Sequence, residues 1–303
     1  MSQMKNYCLG IDIGGTKTSF GIIDINKGKI LKKINIKSKT FKNDKENLKN
    51  ITKNSLKIIQ LAQKEYSIKI NKIGIGVPEL ITNEGIIKGE FNFKWKNLSF
   101  KKHFNNFNIK AIADSDVRNA LRGEKLYGAG KKFTNFIFVN IGTGLSYALY
   151  QNNSIYSGYN GFAIHFASSK INLFNPKTKK NLSLIPEDYY SGKSIMNILK
   201  KLGKKEISND ITKINKLNLK QKKYIQHIAR SLGSLIALLI NIIDPQCVVL
   251  GGGVAINNNY FNKIIIKHIR EYIFAENCKK IPIINSKLKN DAALLGAAAI
   301  FKK

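Results

Sequence analysis

The chain has 303 residues, of which 43% are hydrophobic and 23% charged. That balance suits a soluble globular protein with two cores and excludes a disordered one. Lysine and arginine number 51 against 19 acidic residues, a formal net charge of +32. The excess is mostly lysine, spread along the whole chain beside many isoleucines and asparagines, the residues of AT-rich codons. No arginine-rich stripe, helix-turn-helix signal or zinc-finger spacing accompanies it. No dedicated nucleic-acid partner is therefore expected, although a basic surface draws in anionic nucleotide.

In chain order, the start runs directly into a strand with no signal-peptide pattern. Residues 7–36 read as three strands joined by turns, YCLGIDI, TSFGIID and KILKKINI, with a hairpin turn at 26–28. Residues 43–66 carry apolar positions at Leu48, Ile51, Leu56, Ile59 and Ala62, a helical spacing. A buried strand at 70–77 stops at Pro78, a short strand covers 109–113, and a helix covers 117–127. The hairpin pattern returns at 136–150. Residues 151–192 read as loop-rich, and 222–243 as a long helix ending at Asp244 and Pro245. A strand at 247–250 runs into three glycines, a helix covers 259–274, and a final strand precedes an alanine-rich helix at 291–302. Strands alternating with helices imply an α/β fold.

The segment 231–243 is too short for a membrane span and is read as a buried helix, so no membrane partner is expected. Cys8, Cys247 and Cys278 have no metal-ligand spacing and are read as reduced thiols, which points to the cytoplasm.

Two glycine-threonine turns carry the first chemical signal. Residues 7–24 read YCLGIDIGGTKTSFGIID and residues 136–150 read FIFVNIGTGLSYALY. Each joins two apolar strands by a narrow loop whose backbone N–H groups and threonine hydroxyl suit phosphate oxygens. In the first, Gly14, Gly15, Thr16 and Lys17 would meet phosphate and Asp12 could orient hydrated Mg²⁺. In the second the residues are Gly142, Thr143 and Gly144. Glycine is expected there because it permits backbone angles that side chains forbid. Gly251, Gly252 and Gly253 lie between a strand and a helix, where a flat base could lie on bare backbone. Asp116 stands at the start of a helix in ADSDVRNALRGE, where a carboxylate is either an N-cap or a general base. Asp114 competes for the same role, and Glu124 reads as structural.

The ordered segments LGIDIGGTKT, GIGVPE, SDVRNALRGE, NIGTG, GYNGFA, EDYYSG, VVLGGGVA and ALLGAAAI resemble the ROK sugar kinases over nearly the whole chain. The resemblance implies two ribonuclease-H-like domains of the actin-like ATPase superfamily with an interdomain cleft. The expected domains are 1–117, with a terminal helix at 290–303 packing back on it, and 118–289. It also implies phosphorylation of a hexose or N-acetylhexosamine at O6, with ATP and Mg²⁺ as cofactors and Asp116 as the base. Pro78, Ser115, Asn160, His165 and Glu187, together with Asp116, fall at the family's sugar-binding positions. A homodimer is compatible with the resemblance.

Departures from the pattern stand beside it. Ser115 replaces the family's asparagine, Glu79 replaces a glycine, and residues 160–168 read NGFAIHFAS where the family reads NG-x-AGEIGH. His165 falls at a sugar-binding glutamate and Ser168 at a zinc-binding histidine, and the family's cysteine cluster is absent. No structural zinc is expected, and His165 either donates to a sugar hydroxyl or packs in a diverged loop. A catalytically silent sugar or nucleotide sensor and a kinase for an atypical sugar are the alternatives. The few residues ahead of the first turn disfavour the DNA-binding extension of the family's repressors.

Overall fold

The computed structural model describes residues 6–163, 165–203 and 217–302. It opens with an antiparallel meander of β1 (Tyr7–Ile13), β2 (Lys17–Asp24) and β3 (Lys29–Lys37). β1 and β2 bury nearly every residue, which is why their apolar runs are continuous. β3 is a lysine-rich edge, a composition that discourages further strand pairing. The β2–β3 turn needs Gly28, which sits at φ 63° with the Tyr127 ring where a Cβ would be.

The helix α1 (Asp44–Tyr66) is capped by Asn43 and buries Ile51, Ile58 and Ala62. There follow β4 (Lys72–Val77), α2 (Phe100–Asn105), β5 (Lys110–Ser115) and α3 (Asp116–Tyr127). β4 pairs in parallel with β1 and with β5, giving the sheet order β3-β2-β1-β4-β5.

The second meander begins with β6 (Phe136–Ile141) and β7 (Leu145–Gln151), followed by the short β8 (Ser154–Tyr156). Residues 151–192 are more regular than a loop. They contain the hairpin β9 (Ile171–Asn175) and β10 (Lys180–Leu184), then α4 (Pro186–Tyr190), with α5 (Gly192–Leu202) next. The hairpin pairs Ile171 with Leu184 and Leu173 with Leu182, cross-strand apolar contacts that stabilise a ribbon otherwise rich in polar residues.

The long helix α6 (Leu219–Ile243) opens with an Asn218–Gln221 capping box. Its length and composition would suit a membrane span, yet one face is buried through Ile225, Leu232, Ile236 and Ile240. Leu238 and Ile242 on the opposite side are exposed, so the segment read as buried is buried on one face. Beyond it come β11 (Cys247–Gly251), α7 (Gly253–Ile256), α8 (Asn259–Tyr272) and β12 (Ile283–Asn285). β6 is antiparallel to β7 and parallel to β11, which is parallel to β12. A hairpin followed by parallel neighbours thus occurs twice, as the repeated turns imply.

The described residues form two units. One takes the described residues that fall within 1–132, 154–163 and 290–303; the other takes those within 133–153 and 164–289. In the first, α9 (Ala292–Ala298) lies on β1, β4 and α3. The approach is backbone to backbone: a Cβ on Gly74 would strike the Ala297 carbonyl, and one on Gly296 would strike the Asn119 carbonyl. Each unit has its own core, one around Ile11, Phe20, Ile75 and Phe104, the other around Val139, Leu232, Val248 and Phe261.

Candidate active site

Three parallel strands end side by side in the first unit. Register places Asp12 opposite Gly76, Gly76 opposite Asp114, and Val77 opposite Ser115. The carboxyl ends of parallel strands are where α/β proteins gather ligands. Here those ends deliver the first glycine turn after β1, Pro78 after β4 and Asp116 after β5. An added Cβ on Gly76 would lie 3.2 Å from Asn119 Nδ2, 3.5 Å from Asp116 Cα and 3.6 Å from Asp12 Oδ1, so these three residues converge on the bare backbone there.

The glycine turn closes with Gly14 N–H donating to Lys17 O at 3.0 Å. Thr16 and Lys17 are exposed at its tip. Gly14 and Gly15 do not have positive φ. Space, not unusual backbone angles, calls for glycine here. A Cβ on Gly14 would lie 3.0 Å from Lys17 O, and one on Gly15 would lie 2.9 Å from Asn92 Oδ1.

Electrostatics separates the two candidate bases. Burial pushes the Asp116 carboxyl up to about 7, and the nearby Asp12 charge pushes the same way. Asp12 is itself raised by burial to about 6, against the pull of Lys17 and Lys33. Asp116 is nonetheless partly accessible, and its Oδ1 accepts from Val117 N–H at 2.7 Å. Burial would raise Asp114 too, but Arg122 and Arg118 hold it below the ordinary carboxylate range. Arg118 Nε lies 2.6 Å from one Asp114 oxygen and Arg122 Nη2 lies 2.7 Å from the other. A carboxylate held by two guanidinium groups is a poor proton acceptor at neutral pH.

Asp116 is not the helix cap. That role belongs to Ser115, whose buried hydroxyl accepts from Arg118 N–H at 3.2 Å. Glu124 is structural: it is fully buried and its Oε2 accepts from Ala129 N–H at 2.6 Å, closing the end of α3. Asn160 is exposed on a turn tied down at both ends. Asn83 donates to Gly158 O and Tyr159 O at 3.2 and 3.0 Å, and Arg118 Nη1 donates to Gly161 O at 2.6 Å.

Several residues in this environment escaped sequence reasoning. Arg118 and Arg122 follow Asp114 by four and eight positions, a spacing that could have signalled the pairing. Glu79, noted only as a departure, is buried to 3% exposure. Its carboxylate accepts from the backbone N–H groups of Phe91, Asn92 and Phe93 at 2.8, 2.5 and 3.0 Å.

The second unit gathers its own set. Gly142 N–H donates to Gly144 O at 3.0 Å, and Gly192 N–H donates to Gly142 O at 2.7 Å. Glu187 stands against this turn, where Oε1 accepts from Leu145 N–H at 2.9 Å and Oε2 from Ser168 Oγ at 2.8 Å. Thr143 and His165 are exposed. Gly251 is opposite Asn140, and Gly252 has φ 85° with the Ile141 backbone where a Cβ would be. Gly253 faces open space, the one glycine of the three with room for a flat group. Among the described residues, no group of three or more His, Cys, Asp or Glu stands ready to cage a metal.

The model of the ROK family matches residues 8–303. A xylose repressor from Bacillus subtilis is 24% identical over 99% of this chain and 78% of its own length. A glucokinase from Thermotoga maritima is 25% identical over 99% of this chain and 98% of its own length. Among solved structures, a glucokinase from Streptomyces griseus in complex with glucose and AMPPNP superposes with a TM-score of 0.78. It shares 21% identity, over 97% of this chain and 99% of that one.

Proposed function

The chain belongs to the ROK family, and from that membership we propose that it transfers the γ-phosphoryl group of ATP to a hexose or N-acetylhexosamine, at O6, with Asp116 as the base. The observation that carries this reading is the contrast between two carboxylates two residues apart. Asp114 is locked by Arg118 and Arg122, whereas Asp116 is raised to about 7 and partly accessible beside the first glycine turn. A base is most effective when its pKa is near the working pH.

With Oδ1 engaged by Val117 N–H, Asp116 offers Oδ2 to the attacking hydroxyl. The hydroxyl oxygen bonds to the γ-phosphorus, the bond to the bridging oxygen of ADP breaks, and the hydroxyl proton passes to Asp116. Positioning and charge stabilisation supply most of the acceleration in such transfers. The nucleotide-binding residues proposed are Asp12, Gly14, Gly15, Thr16 and Lys17 in the first unit. In the second they are Gly142, Thr143, Gly144, Gly251, Gly252 and Gly253. Asp12 is a single carboxylate, which fits Mg²⁺ held largely by phosphate and water; the ion supplies charge neutralisation on the phosphates. Pro78, Asn160, His165 and Glu187 are the proposed sugar contacts, and Ser115 supports Asp116 as the cap of its helix.

The test is ADP release with MgATP against a panel of hexoses and N-acetylhexosamines, with product identified by phosphorus NMR. Turnover on one sugar to a 6-phosphate supports the reading. A second reading, a sugar sensor without turnover, is favoured by the likeness to a repressor. Sugar-induced thermal stabilisation with no ADP release would select it.

A further inference from the structure

Segment 89–93 lies at the carboxyl end of β4 and contains no predicted site residue, yet the fold holds it tightly. The buried Glu79 carboxylate accepts from three successive backbone N–H groups of this segment. Charge-assisted bonds of this kind are about twice as strong as neutral ones. The clamp has one evident consequence, which is the placement of Asn92.

Asn92 Nδ2 donates to Pro78 O at 2.9 Å, and that bond fixes which way the amide faces. Oδ1 is thereby turned toward the first glycine turn, 2.9 Å from where a Gly15 Cβ would stand. Asn92 is half-buried, and its Oδ1 accepts from no described residue. The amide is thus held at the end of β4 through Pro78 O, with its oxygen against the glycine turn that follows the neighbouring strand β1.

We propose that Asn92 is a sugar-binding residue, its amide oxygen accepting a hydrogen bond from one hydroxyl of the phosphate acceptor, and that Glu79 is the residue that positions it. The chemistry selects the ligand. Asn92 Oδ1 presents an acceptor against the glycine turn, and phosphate oxygens are acceptors too, so they do not satisfy it. A polyol supplies donors. The inference rests on the kinase reading for its substrate class, and it adds a contact at a position where the resemblance places none.

The experiment couples the residue to one hydroxyl. For the sugar that the wild-type protein accepts, mono-deoxy analogues are compared in the wild type, Asn92→Ala, Glu79→Gln and the double variant, by kinetics and by calorimetric binding of the sugar alone. Circular dichroism and thermal melting establish that each variant is folded. Asn92→Ala should weaken sugar binding roughly threefold to tenfold, the worth of one hydrogen bond, with the KM for MgATP unchanged. The wild type should lose a comparable factor on a single deoxy analogue, and Asn92→Ala should lose almost nothing further on that analogue alone. Glu79→Gln should act in the same direction and add little to Asn92→Ala, because its effect runs through Asn92.

Equal losses on every analogue, or a change confined to the MgATP KM, would overturn the proposal; the latter would assign Oδ1 to the hydration shell of the metal. Sugar binding without turnover would sink the kinase reading alone, and calorimetry would still read the coupling. No binding of any sugar would sink both.

Discussion

Changing the pH tests the electrostatics of the site most sharply. Asp116 is raised to about 7 by burial, then by the Asp12 charge. Only the carboxylate form accepts a proton, so activity should rise with pH through that value. A group of pKa 7 is about 90% ionised at pH 8 and about 10% at pH 6, and an ordinary aspartate is fully ionised at both. With a non-titrating sugar, kcat/KM should therefore fall about tenfold from pH 8 to pH 6. Removing the neighbouring charge by Asp12→Asn should move the midpoint of that limb to lower pH, whatever it does to the maximum rate. The assay is coupled ADP release in a constant-ionic-strength buffer series. A flat profile from pH 8 to 6, or a limb unmoved by Asp12→Asn, would refute the assignment of these two carboxylates as an interacting pair.

The same shift has a stability consequence of defined sign. The folded state binds the Asp116 proton more tightly than the unfolded chain, so stability falls as pH rises from about 4 to about 7 and is then level. Asp116→Asn removes that penalty and should raise the thermal midpoint at pH 8, by the equivalent of about 1–3 kcal/mol, but not at pH 4. Arg118→Met leaves Asp114 short of one partner and frees Gly161 O; differential scanning calorimetry should show a loss of about 3 kcal/mol. Gly74→Ala forces a methyl group into the Ala297 carbonyl and should cost about 3 kcal/mol or more in urea denaturation, with Gly296→Ala behaving alike. Asp114→Asn, by contrast, should leave the pH limb of kcat/KM near pH 7, since Asp114 is not its source.

The sequence was legible wherever a local pattern coincided with a structural boundary. β1 is the run YCLGIDI, and α3 starts at the Asp116 that the strand-helix junction suggested. The preference for Asp116 over Asp114 came from the resemblance alone; the electrostatic contrast between them was not legible, because it depends on which carboxylate the guanidinium groups of Arg118 and Arg122 reach. Glu79 looked like a mere replacement for glycine. Its role depends on backbone N–H groups twelve to fourteen residues away, and main-chain donors leave no trace in side-chain identity. The glycines of the first turn were anticipated for the wrong reason, since the constraint is the nearby Asn92 side chain and the Lys17 carbonyl. The β9–β10 hairpin was missed because its apolar alternation is short and half of it is exposed: Leu173, Phe174 and Leu182 lie largely in solvent. A ribbon of that kind lacks the buried face that makes a strand recognisable.

The measurement closest to the central claim is single-sugar turnover with MgATP by the wild type and by Asp116→Asn, side by side at pH 8. The account predicts formation of a sugar 6-phosphate by the wild type and a loss of roughly 10²–10⁴-fold in kcat for the variant, with sugar binding retained. Activity in Asp116→Asn within a few-fold of the wild type would contradict it.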